Sequence, residues 1–363
     1  MHFPRRAGAL AVLVAGTMTL TLAGCGSTPA GSATTGGVTL LETGSSLLYP
    51  LFQIWVPAYT AAHKDVRITP GSTGSGTGIS DAVNGTVQIG ASDAYMATAQ
   101  IKSNPGILNI PLAISAQQVM YNIPRLDKDH LNLSGKVLAG IYEGAITKWN
   151  DPAIRALNPG VKLPALNIVP IHRADGSGDT FLFTQYLSLA NPTTWGSPKG
   201  PGYSTSISWP AVPTSLNDTG NGGMVQALQQ TQGGIAYVGI SYLAQAVRDG
   251  LGYAALENRA GQFELPTSAA ISAEAQSLVA QTPPDERISL IYGPARNAYP
   301  IINYEYAIVN RHQPSAATAK AVRQFLDWTL AQGSAPRYLG QVHFLPLPSA
   351  VADLSRAQIA KVH

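Results

Sequence analysis

Three short segments hold the residues best suited to chemistry in this chain: Gly44-Ser45-Ser46-Leu47, Gly74-Ser75-Gly76-Thr77-Gly78, and Arg173-Ala174-Asp175-Gly176-Ser177-Gly178-Asp179-Thr180. Each sets small residues between an apolar run and a helical pattern. Glycine lets the backbone approach a ligand, a helix start presents N–H groups with no intrahelical partner, and serine adds a hydroxyl. With one arginine in the third loop, the set describes a site for a small tetrahedral oxyanion. Nucleotide and hydrolase signatures are missing. There is no Gly-x4-Gly-Lys-Ser/Thr run, Gly74-x-Gly76-x-Gly78 lacks the GxGxxG spacing, and His-Glu-x-x-His and Gly-x-Ser-x-Gly do not occur. The seven histidines show no metal-ligand spacing, and His172, at the end of an apolar run, reads as structural.

The elements that must hold these loops follow an α/β pattern with largely parallel strands. An apolar run at Val38 leads through Gly44 to a helical face of Leu48, Leu51, Phe52, Trp55, Tyr59 and Ala62, with Ser46 as its expected N-cap, Pro50 in its first turn and Pro57 as a kink or stop. Residues 66–69 read as a strand, 71–78 as a loop, 79–84 as a helix and 87–91 as a strand. Further on, 168–172 and 234–240 read as strands and 301–309 as another, before a helix marked by Ala319, Val322, Leu326 and Leu330. Two extended apolar segments, 114–123 and 299–310, look like crossings between two domains.

Composition excludes several classes. Hydrophobic residues make up 45% of the 363, which is ordinary for a globular chain, and charged residues only 12%, too few for a coiled coil. Formal net charge is +3, but the first 24 residues hold Arg5 and Arg6 and no acid, so the chain beyond them is nearly neutral. No basic run tracks a nucleic-acid backbone. The amino terminus reads as a secretory signal: two arginines, an apolar stretch over residues 7–22, and small residues before Cys25. That stretch is short for a membrane span, which needs about 20 residues. Cys25 is the single cysteine, so no internal disulfide forms. Leu22-Ala23-Gly24-Cys25 resembles a bacterial lipoprotein processing box, with Cys25 the lipidated residue and 26–37 a flexible tether of about 20 Å mean reach.

Gly90-Ala91-Ser92-Asp93 and Arg173-Ala174-Asp175-Gly176-Ser177-Gly178 resemble the signatures of the phosphate-binding lipoproteins of bacterial phosphate-specific ABC transporters. The resemblance runs from about Val38 to the C-terminus and takes in Lys148-Trp149-Asn150-Asp151-Pro152 and Leu157-Asn158-Pro159-Gly160. It implies a type II, two-lobed periplasmic-binding-protein fold with two hinge crossovers: lobe I from 38–116 and 301–363, lobe II from 117–300. It also implies a binding protein without cofactor or catalysis, anchored outside the membrane and partnered by a permease. Carried over by motif, Ser45, Ser46, Leu47, Ser75, Asp93, Arg173, Ser177, Gly178 and Asp179 would surround phosphate, with Asp175 orienting Arg173. Many members have Thr where this chain has Asp179, so a backbone contact survives there and a hydroxyl contact does not. A second carboxylate would either accept a ligand proton or face solvent.

Other readings use the same loops. A phosphatase with Ser46 or Ser177 as nucleophile needs a base or metal cluster, another anion such as sulfate or molybdate needs no acceptor at Asp93, and a surface-interaction role leaves no mark in the sequence.

Overall fold

The computed structural model describes residues 37–363; the signal, the processing box, Cys25 and nearly all of the tether lie outside the described residues. In chain order the strands are β1 (Val38–Gly44), β2 (Val66–Thr69), β3 (Ile89–Ser92), β4 (Ile107–Tyr121), β5 (Asn132–Leu133), β6 (Val169–Arg173), β7 (Leu216–Asp218), β8 (Gly234–Gly239), β9 (Gly252–Tyr253), β10 (Ala255–Glu257), β11 (Phe263–Glu264) and β12 (Ile302–Asn310). Among these, β2-β1-β3-β12-β4-β8-β6-β7 form one curled sheet, β9 also pairs with β4, and β11-β10-β5 form a small second sheet.

The β1 pairings with β2 and β3 are parallel, as are those of β6 with β7 and β8. The centre departs from the expected parallel order, because β12 runs antiparallel to both β3 and β4, and β4 antiparallel to β8. The reason lies in β4. All of its residues are buried, the mark of a strand covered on both faces, and it pairs with β12 over Ile107–Ala116 and with β8 over Gln117–Tyr121. One strand thus joins the group β1–β3 and β12 to the group β6–β8.

Each group has its own aromatic packing. In the helix Tyr49–Ala62, buried Leu51, Phe52, Trp55 and Tyr59 meet the helix Ala316–Leu330, with Phe52 and Tyr59 at 6.0 and 5.1 Å from Phe325. Pro57 neither ends nor interrupts this helix. Its N-cap is Leu48, not Ser46; the Ser45 hydroxyl accepts the Leu48 N–H at 2.9 Å. The expected loop 71–78 is shorter than its glycines suggest, since a helix starts at Ser75 and runs to Asn84. In the other group Tyr237 stacks on Phe183 at 4.6 Å, and His172 stacks on Trp209 at 4.7 Å, a packing role. Among the described residues no helix is long and apolar enough to cross a membrane.

The core also buries acids. Burial pushes Glu42 well above the usual carboxyl range, Glu274 up to about 7, and Glu286 up to about 8 against the Ser355 hydroxyl. These groups keep protons in the folded chain that the unfolded chain sheds above roughly pH 4.3. Stability therefore falls as pH rises from that point through about 8. For Glu286 the full difference is roughly 5 kcal/mol. We expect the melting temperature to drop by several degrees between pH 5.5 and 8.5, and Glu286→Gln to remove part of the drop. Parallel curves for the two proteins in calorimetric scans exclude this assignment.

Candidate anion-binding site

The three loops meet where β1, β3 and β6 end. Gly76 N–H donates to the Gly176 carbonyl at 2.8 Å, so the second and third loops touch through backbone. Closeness is the requirement here. A Cβ on Gly178 would lie 2.5–2.6 Å from Asp93 and the Ser75 hydroxyl, and Gly74, at φ 91°, holds its Hα against Asp175 where a side chain would collide.

Asp93 follows β3 and is 2% exposed. Its Oδ1 accepts the Ser45 hydroxyl, and its Oδ2 accepts that of Ser75 at 3.1 Å. Burial, and then the charge of Asp179, push the Asp93 carboxyl upward against Ser45, Glu305 and Arg173. Arg173 ends β6. Its Nε donates to Asp175 Oδ1 at 2.6 Å, its Nη2 to Asp175 Oδ2, and its Nη1 to Asp179 Oδ2 at 2.8 Å. Burial alone would lower the guanidinium, but the hydrogen bond to Asp175 and the charges of Asp179 and Asp175 outweigh it and hold it above its ordinary value. Asp175 is lowered, the bond and charge of Arg173 outweighing burial; Asp179 is raised, its burial outweighing Arg173.

The helix Gly178–Ala190 opens on Ser177, whose hydroxyl caps it by accepting the Thr180 N–H at 3.3 Å. The N–H groups of Gly178 and Asp179 belong to the first turn, which has no intrahelical acceptors. Asp179 does not face solvent; it is fully buried, and its oxygens take Arg173, Gln117 Nε2 at 3.0 Å and Asn221 Nδ2 at 2.7 Å. Ser46 lies on the same network, accepting the Asn221 N–H and Nδ2, both at 3.0 Å. Leu47 is buried, and its carbonyl accepts the Ser241 hydroxyl at 2.8 Å. Ser45, Ser75, Asp93, Arg173, Asp175, Ser177, Gly178 and Asp179 are thus brought together, with Ser46 and Leu47 beside them.

Sequence reading missed Asn221, Gln117 and Glu305. Asn221 carried a signal, since Asp218-Thr219-Gly220-Asn221-Gly222-Gly223 is a fourth strand-to-helix loop of the same small-residue design, opening the helix Gly220–Gln230. Gln117 and Glu305, inside strands β4 and β12, carried none. The arrangement offers hydroxyl, guanidinium and helix-start N–H donors together with an acidic acceptor, which suits an oxyanion bearing a proton. Among the described residues no cluster of three or more His, Cys, Asp or Glu could hold a metal ion.

A model of the periplasmic-binding-protein (PBP) superfamily domain matches residues 28–332. Among curated proteins the chain is 32% identical to the phosphate-binding protein PstS of Xylella fastidiosa (strain 9a5c), covering 90% of this chain and 86% of that one. It is 30% identical to phosphate-binding protein PstS 2 of Mycobacterium tuberculosis (strain H37Rv), covering 96% of each. Among solved structures, a phosphate-binding protein from Stenotrophomonas maltophilia superposes with a TM-score of 0.69 at 18% identity, covering 88% of this chain and 94% of that one, a likeness of fold.

Proposed function

Because the chain belongs to the PBP superfamily and, within it, to the PstS phosphate-binding proteins, we propose that it captures inorganic phosphate outside the membrane and hands it to the permease of an ABC transporter. It is a binding protein, not an enzyme. The observation that carries the reading is the pairing of a donor-rich anion site with a buried carboxylate, Asp93, among those donors. Phosphate near neutral pH keeps one or two protons and sulfate none. A carboxylate that accepts a ligand proton favours the first and repels the second.

In this reading Arg173 supplies the charge-assisted bonds, the hydroxyls of Ser46 and Ser177 and the N–H groups of Leu47, Gly178 and Asp179 donate, Ser45 and Ser75 line the ligand while their protons hold Asp93, and Asp175 orients Arg173. Two lobes, 38–116 with 301–363 and 117–300, close on the ligand about the crossovers in β4 and before β12. Only the closed form assembles donors from both sides. Export by the N-terminal signal and lipidation at Cys25 would keep the protein at the outer face of the membrane.

Calorimetric titration of anion-stripped protein with phosphate, then sulfate, at one pH tests this directly. We expect one phosphate per chain and no sulfate response at matched concentration. A folded protein that takes up sulfate as well as phosphate, or neither, overturns the reading.

A further inference from the structure

We propose that Glu305, behind the site on β12, is a positioning residue for phosphate selectivity: its carboxyl keeps a proton and donates it to Asp93, which therefore meets the ligand as an ionised acceptor. The inference rests on the phosphate reading above and adds to it a residue with no ligand contact.

Glu305 is fully buried beside Asp93: the Asn303 amide reaches the Glu305 Oε1 at 3.0 Å and the Asp93 carbonyl at 3.2 Å, and each carboxyl shifts the other's ionisation. Two carboxyls so placed attract only when one carries a proton, because like charges in a buried site cannot both ionise. The surroundings say which. Asp93 is stabilised as an anion by two serine hydroxyls, and the Arg173 charge also acts on it. Glu305 is contacted by neutral groups, the Ser115 hydroxyl of β4 and Asn303 Nδ2 at 3.0 Å, both on Oε1, while buried Oε2 has no donor of its own. A carboxylate oxygen stranded without a donor is costly, whereas a carboxylic acid turned to Asp93 supplies the bond itself.

Ser115 sharpens the argument. Its one proton faces two acceptors, Asn303 Oδ1 at 2.7 Å and Glu305 Oε1, and Asn303 is fixed by its Nδ2 donating to the carbonyls of Asp93 and Tyr304 at 3.2 and 2.9 Å. These donors are divided between Oε1 and other acceptors, so none is left for Oε2, where the proton shared with Asp93 sits. Burial, and then the Asp93 charge, push Glu305 well above the usual range. The other raised acids near β12 face elsewhere: Glu274 faces the backbone at Gly293, and Glu286 bonds Ser355. The charges of Asp179 and Arg173 also act on Asp93.

The consequence is a specific pH dependence. While Glu305 holds its proton, Asp93 is an acceptor with a bond to its rear. Once Glu305 ionises at alkaline pH, the pair carries two negative charges and repels phosphate. Glutamine donates from its amide at every pH, leucine at none.

The test is phosphate and sulfate titration of wild type, Glu305→Gln and Glu305→Leu from pH 6 to 9.5, with an infrared difference spectrum of Glu305→Gln against wild type. The expected results are near wild-type phosphate affinity for Glu305→Gln at pH 7, with the alkaline fall moved to higher pH. Glu305→Leu should lose about 10- to 100-fold in affinity and much of its phosphate preference. Phosphate's own ionisation is common to all three proteins and cancels in their ratios. The spectrum should show loss of a protonated carboxyl band. Equal damage in Glu305→Gln and Glu305→Leu, or superimposable pH profiles for wild type and Glu305→Gln, overturns the proposal. Should wild type bind no phosphate, it is the functional reading that fails, and the infrared band alone decides whether Glu305 holds the proton.

Discussion

Replacing Arg173 with methionine is expected to lower phosphate affinity by about 10³-fold and to destabilise the folded chain as well. Methionine keeps the length and apolar stem but removes every donor. Two effects combine. The ligand loses its charge-assisted bonds, and Asp175 and Asp179, now held by the guanidinium at 2.6 and 2.8 Å, are left as acids without a cation beside Asp93. Breaking a buried pair by removing one partner typically costs about 3–5 kcal/mol, because the other charge stays buried. The two effects separate in the double variant. Arg173→Met with Asp179→Asn should recover part of the stability, since the amide removes one buried charge and its oxygen still accepts from one of Asn221 and Gln117, yet recover little affinity. Thermal melts and calorimetric titration of the three proteins decide it. If the double variant binds phosphate like wild type, Arg173 serves the fold and not the ligand.

Asp93→Asn is expected to change preference more than strength. Sites built around a required ligand proton discriminate by roughly 10⁴–10⁵. The asparagine amide can donate to sulfate and no longer repels it, so the phosphate-to-sulfate ratio should fall at least about 100-fold. Phosphate, which keeps its remaining donors, should weaken about 10-fold or less. Wild type should move the same way in acid. Asp93 is held above the usual carboxylate range, first by burial and then by Asp179. As pH falls through its raised value it becomes neutral, turns from acceptor to donor, and sulfate competes better. An unchanged ratio in Asp93→Asn would falsify the role given to this carboxylate.

Three of the site's four loops were legible because their chemistry is local. Small residues between a strand and a helix are written consecutively, and the bonds they make at helix starts depend on neighbours in sequence: Ser177 caps the helix that begins one residue later. Ser45 shows the limit. The loop was found, but the hydroxyl taken for the cap was that of Ser46, which instead accepts from Asn221, 175 residues away. Strands β4 and β12 were visible as apolar runs, but their antiparallel pairing was not, and that register alone sets Asn303 opposite Ser115 with Glu305 close by. Asp179 makes the same point, since its choice between ligand, solvent and a buried network turned on Gln117 and Asn221, which reach it only when β4 and the fourth loop come together.

By itself, then, the sequence determined which groups are present and which loops present them: donors, one arginine, acids and helix starts, on an α/β frame. Tertiary structure decided the state of those groups. Hydrogen-bond partners, burial and proton positions are set by residues distant along the chain, and a carboxyl group's charge depends on what surrounds it rather than on its place in a motif.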